Sequence, residues 1–162
     1  GRPRIKIGIG INTGSMMLGT VGGHSRMDGT AISDAVNLAS RLEGLTKNYG
    51  VGLLISEKTF LALNNPTDYA IRLIDRVKVK GKSEQVIVYE VFDADSPEVK
   101  EGKLFTLAVF KQAIVLYNSG NLSEAAQLFS HCLHLNPGDK VAKIYLERCQ
   151  YQESVEVLNP NG

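Results

Sequence analysis

Asn37 and Arg41 are the pair in this chain whose types and spacing could do chemistry. From Ser33 onward the apolar residues Ala35, Leu38, Ala39, Leu42 and Leu45 recur at the interval of one helix stripe, and Ser33 is suited to cap its start. Asp34, Asn37, Arg41 and Gly44 then fall on the opposite side, so that an amide and a guanidinium one turn apart share a patch. A guanidinium presents a fixed fork of donors matched to phosphate oxygens, and an amide can hold a hydroxyl or ether oxygen. The solvated face of an ordinary surface helix would look the same. Asn is a mediocre helix former, however, and its place inside a good helical run hints at another use.

A second cluster is Val77-Lys-Val-Lys-Gly-Lys82, where Lys78 and Lys80 share one side of a strand and Lys82 follows the Gly81 break. By itself this is a solvated strand edge. His24 stands in a glycine-flanked loop as a lone imidazole. Asp34 is accounted for by the dipole of a helix first turn. Cys132 and Cys149 lie inside helical patterns without zinc-ligand spacing; buried free thiols are the expected state, a disulfide the alternative. Gly8-x-Gly10-x-x-x-Gly14 departs from the dinucleotide fingerprint and lacks the Gly-Lys-Ser/Thr of a nucleoside triphosphatase loop, so its glycines read as structural.

These residues need elements to hold them. Ile5, Ile7, Ile9 and Ile11 alternate with small or polar residues, which predicts a strand whose β-branched face is core and whose Gly8 and Gly10 face lies close against something. Asn12-Thr-Gly-Ser15 predicts a turn and Ser15 to Val21 a returning strand. Tyr49-Gly50 stops the helix, Val51 to Ile55 is a short strand, and Ser56 caps a helix through about Leu63. Residues 71–79 and 86–92 are two further strands joined at Gly81-Lys-Ser-Glu84. Strands and helices are mixed without strict alternation, so the fold class is α+β.

The acidic, Pro-containing run Asp93-Ala-Asp-Ser-Pro-Glu98 divides the chain into residues 1–93 and a helical part, with 94–102 as linker, helices over 103–150 and a tail at 151–162. Helical patterns run from Lys103 to Asn118 and from Leu122 to Leu135, and a third begins near Asp139. Ala113, Tyr117, Gly120, Ala125, Phe129, Leu133 and Pro137 resemble one tetratricopeptide repeat, a helix pair offering a surface to a protein partner; a generic helical hairpin is the alternative.

The 162 residues carry a net charge of +1, with 22% charged and 43% hydrophobic residues, which calls for neither nucleic acid nor a membrane surface. No apolar run approaches the roughly 20 residues of a membrane helix and no secretory signal opens the chain, so a cytoplasmic location is expected. The chain opens at Gly1, runs directly into a strand pattern, and reads as a fragment.

Thr30-Ala-Ile-Ser-Asp-Ala-Val-Asn-Leu-Ala-Ser-Arg-Leu-Glu43 resembles the Thr/Asp-x-x-Gly-x-x-Val-Asn-x-Ala-x-Arg segment of class III nucleotidyl cyclases, and Val79-Lys-Gly-Lys82 resembles a second segment of the same family. The resemblance covers about residues 4 to 93 and implies the C-terminal half of a ferredoxin-like cyclase domain. It gives Asn37 the role of orienting the ribose, Arg41 that of stabilising charge at the α-phosphate, Thr30 that of reading the base and Lys80 that of binding the terminal phosphates. Thr at position 30 points to ATP in place of GTP, with cyclic AMP and pyrophosphate as products. Family members use Mg²⁺ or Mn²⁺ on two aspartates, which together with a base-reading Lys lie on strands preceding this segment, so the chain alone is expected to be inactive. They work as homodimers with a shared site, for which the Gly8 and Gly10 face and the Arg41 face are expected to be uncovered. Ser33 stands where the family often has Gly and Ala35 where Thr is common, which leaves the fine shape of the turn open. A non-catalytic, cyclase-derived regulatory domain and an interaction protein acting through the helical repeat are the alternatives.

Overall fold

A computed structural model describes residues 7–13, 15–18, 30–78 and 84–158; within these it gives the backbone alone for 15–18, 30–35 and 154–158. The chain forms two compact units, Gly1–Asp95 and Ser96–Gly162. The first is α+β and the second all-α.

In the first unit, β1 (Ile9–Asn12) and β2 (Ser15–Leu18) make an antiparallel hairpin. Helix α1 (Thr30–Tyr49) then crosses over to β3 (Leu53–Ser56), which lies parallel to β1 with Gly10 opposite Leu54. The short helix α2 (Glu57–Ala62), a 3-10 turn at Pro66–Asp68, and the antiparallel strands β4 (Ile71–Lys78) and β5 (Gln85–Val91) complete a five-stranded sheet in the order β2-β1-β3-β5-β4.

The helix α1 sits on the glycine face of β1. A methyl group at Gly10 would run into the carbonyl of Ala39 and the amide of Glu43 and come within 2.9 Å of Leu42 Cβ, and one at Gly8 would meet Thr46. Glycine here permits backbone-to-backbone approach. The expectation that the β-branched face is core is thereby corrected: Gly10 and Asn12 are buried, Ile9 and Ile11 are half-buried, and Ile7 is 50% exposed. The glycine face is covered by the chain's own helix, so it is not open to a partner, contrary to expectation.

Helix α1 also starts earlier than expected. Thr30 is its first residue, so Ser33 lies inside the helix and does not cap it, and the first turn holds no acidic residue, which removes the dipole account of Asp34. The reason is legible afterwards: Ile32, Ala35, Ala39, Leu42, Thr46 and Tyr49 continue a three–four spacing in both directions. Ala39, Leu42, Thr46 and Tyr49 are the buried members, while Leu38 and Leu45 flank them half-buried. At the other end Gly50 adopts φ 66° and the Val51 amide donates to the Thr46 carbonyl at 3.0 Å, a left-handed cap as Tyr49-Gly50 predicts.

Ser56 caps α2 as expected, accepting from the Thr59 amide at 3.2 Å. Phe60 of α2 stacks on Tyr89 at 4.1 Å between centroids, on the sheet face opposite α1. The return strand β2 ends at Leu18 among the described residues, and most of the connection at Gly81-Lys-Ser-Glu84 lies outside them.

In the second unit, α3 (Pro97–Asn118), α4 (Leu122–Leu135) and α5 (Lys140–Leu158) pack in sequence, α4 against both others. Helix α3 begins six residues before the expected Lys103, because Pro97 takes the first helical position, where its missing amide costs nothing. Residues 97–102, expected as linker, are therefore helical. Asp139 caps α5, accepting from the Val141 amide at 3.2 Å, and α5 continues to Leu158 through much of the expected tail. Tyr145 fills the centre: it stacks on Phe129 at 5.0 Å and meets Tyr117 and Phe110 edge-on, with Ala113, Ala125 and Ala142 fully buried around it.

Candidate functional site

Ala39 and Leu42 turn to the sheet with no exposure, and this fixes the rotation of α1. Asn37 and Arg41 are accordingly exposed, about 6 Å apart along the axis and about 40° apart around it, so one ligand can touch both. Among the described residues neither side chain makes a hydrogen bond or ion pair.

The direction of α1 follows from its contacts with β1. Gly8 lies against Thr46 and Gly10 against Ala39 to Glu43, so α1 runs opposite to β1 and its N-terminal half overhangs the carboxyl ends of β1 and β3. Since β3 is antiparallel to β5 and β5 to β4, β4 also points its carboxyl end this way. Lys78, exposed at the last position of β4, therefore emerges at the same end of the sheet as the Asn37 turn. Lys80 lies outside the described residues, and of Thr30 only the backbone is described, as the first residue of α1. The structure thus brings Asn37 and Arg41 together, and it does not place the side chains of Thr30 or Lys80.

Three supports around this helix were not visible in the sequence. Tyr49, buried at the end of α1, donates its hydroxyl to Asp75 Oδ2 at 2.6 Å, and Asp75 Oδ1 accepts the Arg76 amide at 2.7 Å. Asp75 follows a β-bulge between Leu73 and Asp75 that shifts the alternation of β4 by one residue. On the same sheet face Arg72 Nε and Glu90 Oε1 form an ion pair at 2.7 Å with side-chain exposures of 1% and 0%. Beneath the carboxyl ends of β1 and β3, Ser56 Oγ donates to Asn12 Oδ1 at 2.7 Å and lies 3.2 Å from Thr59 Oγ1, which is itself 3.2 Å from Thr13 Oγ1.

Among the described residues, two groups elsewhere titrate away from their ordinary values. Burial pushes the Tyr89 phenol up, with the Glu57 carboxylate adding to it. Burial also pushes the Cys149 thiol up, again with help from a carboxylate, Glu153. Neither belongs to the Asn37 and Arg41 face.

The donor set of the Asn37 and Arg41 face is an amide and a guanidinium, which suits phosphate and hydroxyl oxygens. It does not suit Mg²⁺ or Mn²⁺, which take carboxylate and other oxygen ligands, and no group of three His, Cys, Asp or Glu side chains converges among the described residues.

Residues 2–92 match the family profile described as the adenylate and guanylate cyclase catalytic domain. Among curated relatives, the terminal-differentiation specific adenylate cyclase of Dictyostelium discoideum is 42% identical over 146 residues, covering 90% of this chain and 7% of that protein. The adenylate cyclase of Anabaena cylindrica is 55% identical over 92 residues, 56% of this chain and 18% of its own length, and adenylate cyclase 1 of Rhizobium meliloti is 37% identical over 91 residues, 56% of this chain and 13% of its own. The chain thus spans a small part of each relative. The Dictyostelium match is longer than the first unit and so extends into the helical one. No solved structure gives a significant match. No described helix is long and apolar enough to cross a membrane. With the cyclase profile matching more than half of its length, the chain belongs to the adenylate and guanylate cyclase catalytic-domain family.

Proposed function

We propose that this chain is the C-terminal half of the catalytic domain of an adenylate cyclase, acting within a longer protein that converts ATP to cyclic AMP and pyrophosphate. The observation that carries the reading is the Asn37 and Arg41 pair, exposed on one face of α1 at the carboxyl end of the sheet, in a chain of this family. In the reaction the ribose 3'-oxygen loses its proton and bonds to the α-phosphorus, and the bond from that phosphorus to the bridging oxygen of pyrophosphate breaks. Charge builds on the phosphate oxygens in the transition state, where a fixed guanidinium stabilises it. Arg41 takes that role. Asn37 holds the ribose so that the 3'-oxygen faces the phosphorus, which removes orientational freedom from the step. Lys80 binds the terminal phosphates as a point charge, and Thr30 reads the adenine.

A divalent cation, Mg²⁺ or Mn²⁺, supplies further charge neutralisation in such chemistry. On this reading its carboxylates come from the remaining part of the domain, in the arrangement of a homodimer whose two subunits share the site. The half-buried apolar face of Ile9, Ile11 and Leu53, opposite α1, is a surface for that remaining part. The helical unit is a tetratricopeptide-like module for a protein partner, a reading supported by the packed pair α3 and α4 and by Phe105, Leu104 and Val115 on the exposed side of α3.

The test is cyclic AMP formation by the full-length protein with Mg²⁺ or Mn²⁺. Asn37→Ala and Arg41→Ala should each lower turnover by about a hundredfold or more while leaving the melting temperature unchanged, since both side chains are exposed. Undiminished turnover in both variants would sink the assignment.

A further inference from the structure

We infer that the Tyr49–Asp75 hydrogen bond is a positioning clamp that ties the helix carrying Asn37 and Arg41 to the strand leading to Lys80, so that these groups meet the substrate in one register. The inference rests on the cyclase reading of that site. Helix α1 and strand β4 are not sheet neighbours. β5 stands between β3 and β4, so β4 is about 10 Å from β3 across the sheet. The tie bridges that gap from the last residue of α1, whose phenol is buried, to a carboxylate in the middle of β4.

The local geometry around Asp75 is built for this contact. Before the bulge Arg72 and Ile74 are the buried residues of β4; after it Val77 is buried and Arg76 and Lys78 are exposed. Asp75 pairs with Val88 and so takes the α1 side, whereas unbroken alternation would have placed Arg76 and Lys78 there. One inserted residue thus does two things: it turns a carboxylate toward Tyr49 and frees Lys78 from the packed face. The second oxygen of Asp75 is held by the Arg76 amide, so the carboxylate that receives the phenol is itself fixed. Tyr49 stands two turns from Arg41 along a helix whose C-terminus is closed by Gly50. A small tilt of α1 about its glycine contacts would displace Asn37 and Arg41 relative to the β4 end, and a displacement of about 1 Å at a reacting centre can cost a hundredfold in rate.

Neither Tyr49 nor Asp75 touches substrate in this account; both act through α1 and β4. Tyr49→Phe keeps the ring and removes only the hydroxyl, so the full-length protein should fold, and its kcat for cyclic AMP formation should fall by about tenfold or more with KM for ATP changed by less than about twofold. Asp75→Ala should do the same, and the double variant should be no worse than Asp75→Ala alone, because both remove one tie. Asp75→Asn should retain most of the activity: its amide oxygen can still accept the Arg76 amide while its NH₂ donates to the phenol oxygen, which accepts where it had donated. Wild-type kcat in Tyr49→Phe, or a melting-temperature loss without a kcat loss well below that temperature, overturns the clamp. If Asn37→Ala and Arg41→Ala abolish turnover while Tyr49→Phe does not, the clamp falls and the cyclase reading stands; if all three are fully active, both fall.

Discussion

The sheet unit and the helical unit both bury helix faces, but with opposite materials. Under α1 the contact is made of absence and polarity: two glycines admit the helix backbone, and Thr46, Asn12, Ser56, Arg72 and Glu90 are buried among the apolar residues. Around Tyr145 the contact is made of volume, with Phe110, Phe129 and Tyr117 filling the space between alanines. A core of volume tolerates another side chain of similar size. A core of close backbone approach and paired charges does not, because each position has one acceptable atom set. The unit that carries the proposed site is the less tolerant one, which is what fixing Asn37 and Arg41 to within a fraction of an ångström demands.

The sharpest way to break this contrast is to remove one charge from the buried ion pair. Glu90→Ala removes the carboxylate that meets the buried Arg72 Nε at 2.7 Å and should cost about 3–5 kcal/mol, read as loss of the sheet unit's cooperative transition in denaturant. Phe129→Leu, an equally buried position in the helical unit, should cost clearly less than the roughly 3–5 kcal/mol of a full truncation to Ala. Equal losses in Glu90→Ala and Phe129→Leu would erase the distinction.

Smaller effects are expected at two glycines that serve for different reasons. Gly10→Ala pushes a methyl into the α1 backbone and should destabilise by about 1–3 kcal/mol, measured by chemical unfolding. Gly120, at φ 85° between α3 and α4, has open space around it, so Ala there meets only conformational strain and should cost about 1 kcal/mol. The reverse order would mean that α1 can lift from β1, and the close-approach account would fail.

The smallest effect is alkaline. Burial raises the Cys149 thiol, so the folded state holds its proton more tightly than the unfolded chain; that contribution is complete below the unfolded thiol pKa of about 8.5 and is lost as pH rises through the folded value. Thermal unfolding followed upward from about pH 8 should show a decline that Cys149→Ala flattens. The same slope in both proteins would assign it elsewhere, with the Tyr89 phenol, also raised by burial, the group of the sheet unit that behaves in this direction.

Most elements were legible because their periodicity is local. Residues 30–49, 56–62 and 71–78 carry spacing and caps that need no knowledge of the rest of the chain, and Gly50 announced its own left-handed turn. The errors came where a local signal had two readings. Ser33 looks like a cap until the stripe is followed back to Ile32, and Pro97 reads as a linker residue until a helix is seen to start on it. The isoleucines of β1 read as core because β-branched residues usually are; only the position of α1 reveals that the glycines are the packed side.

By itself the sequence determined the α+β class of the first unit, the three helices of the second, and the pairing of Asn37 with Arg41 on one helix face, since each depends on intervals of a few residues. The tertiary structure alone decided which face of β1 is buried, that Asp75 turns to Tyr49, and that Arg72 and Glu90 pair, because those contacts join residues 18 or more positions apart. Their partners are set by strand order and by one bulge, neither of which leaves a local mark in the chain.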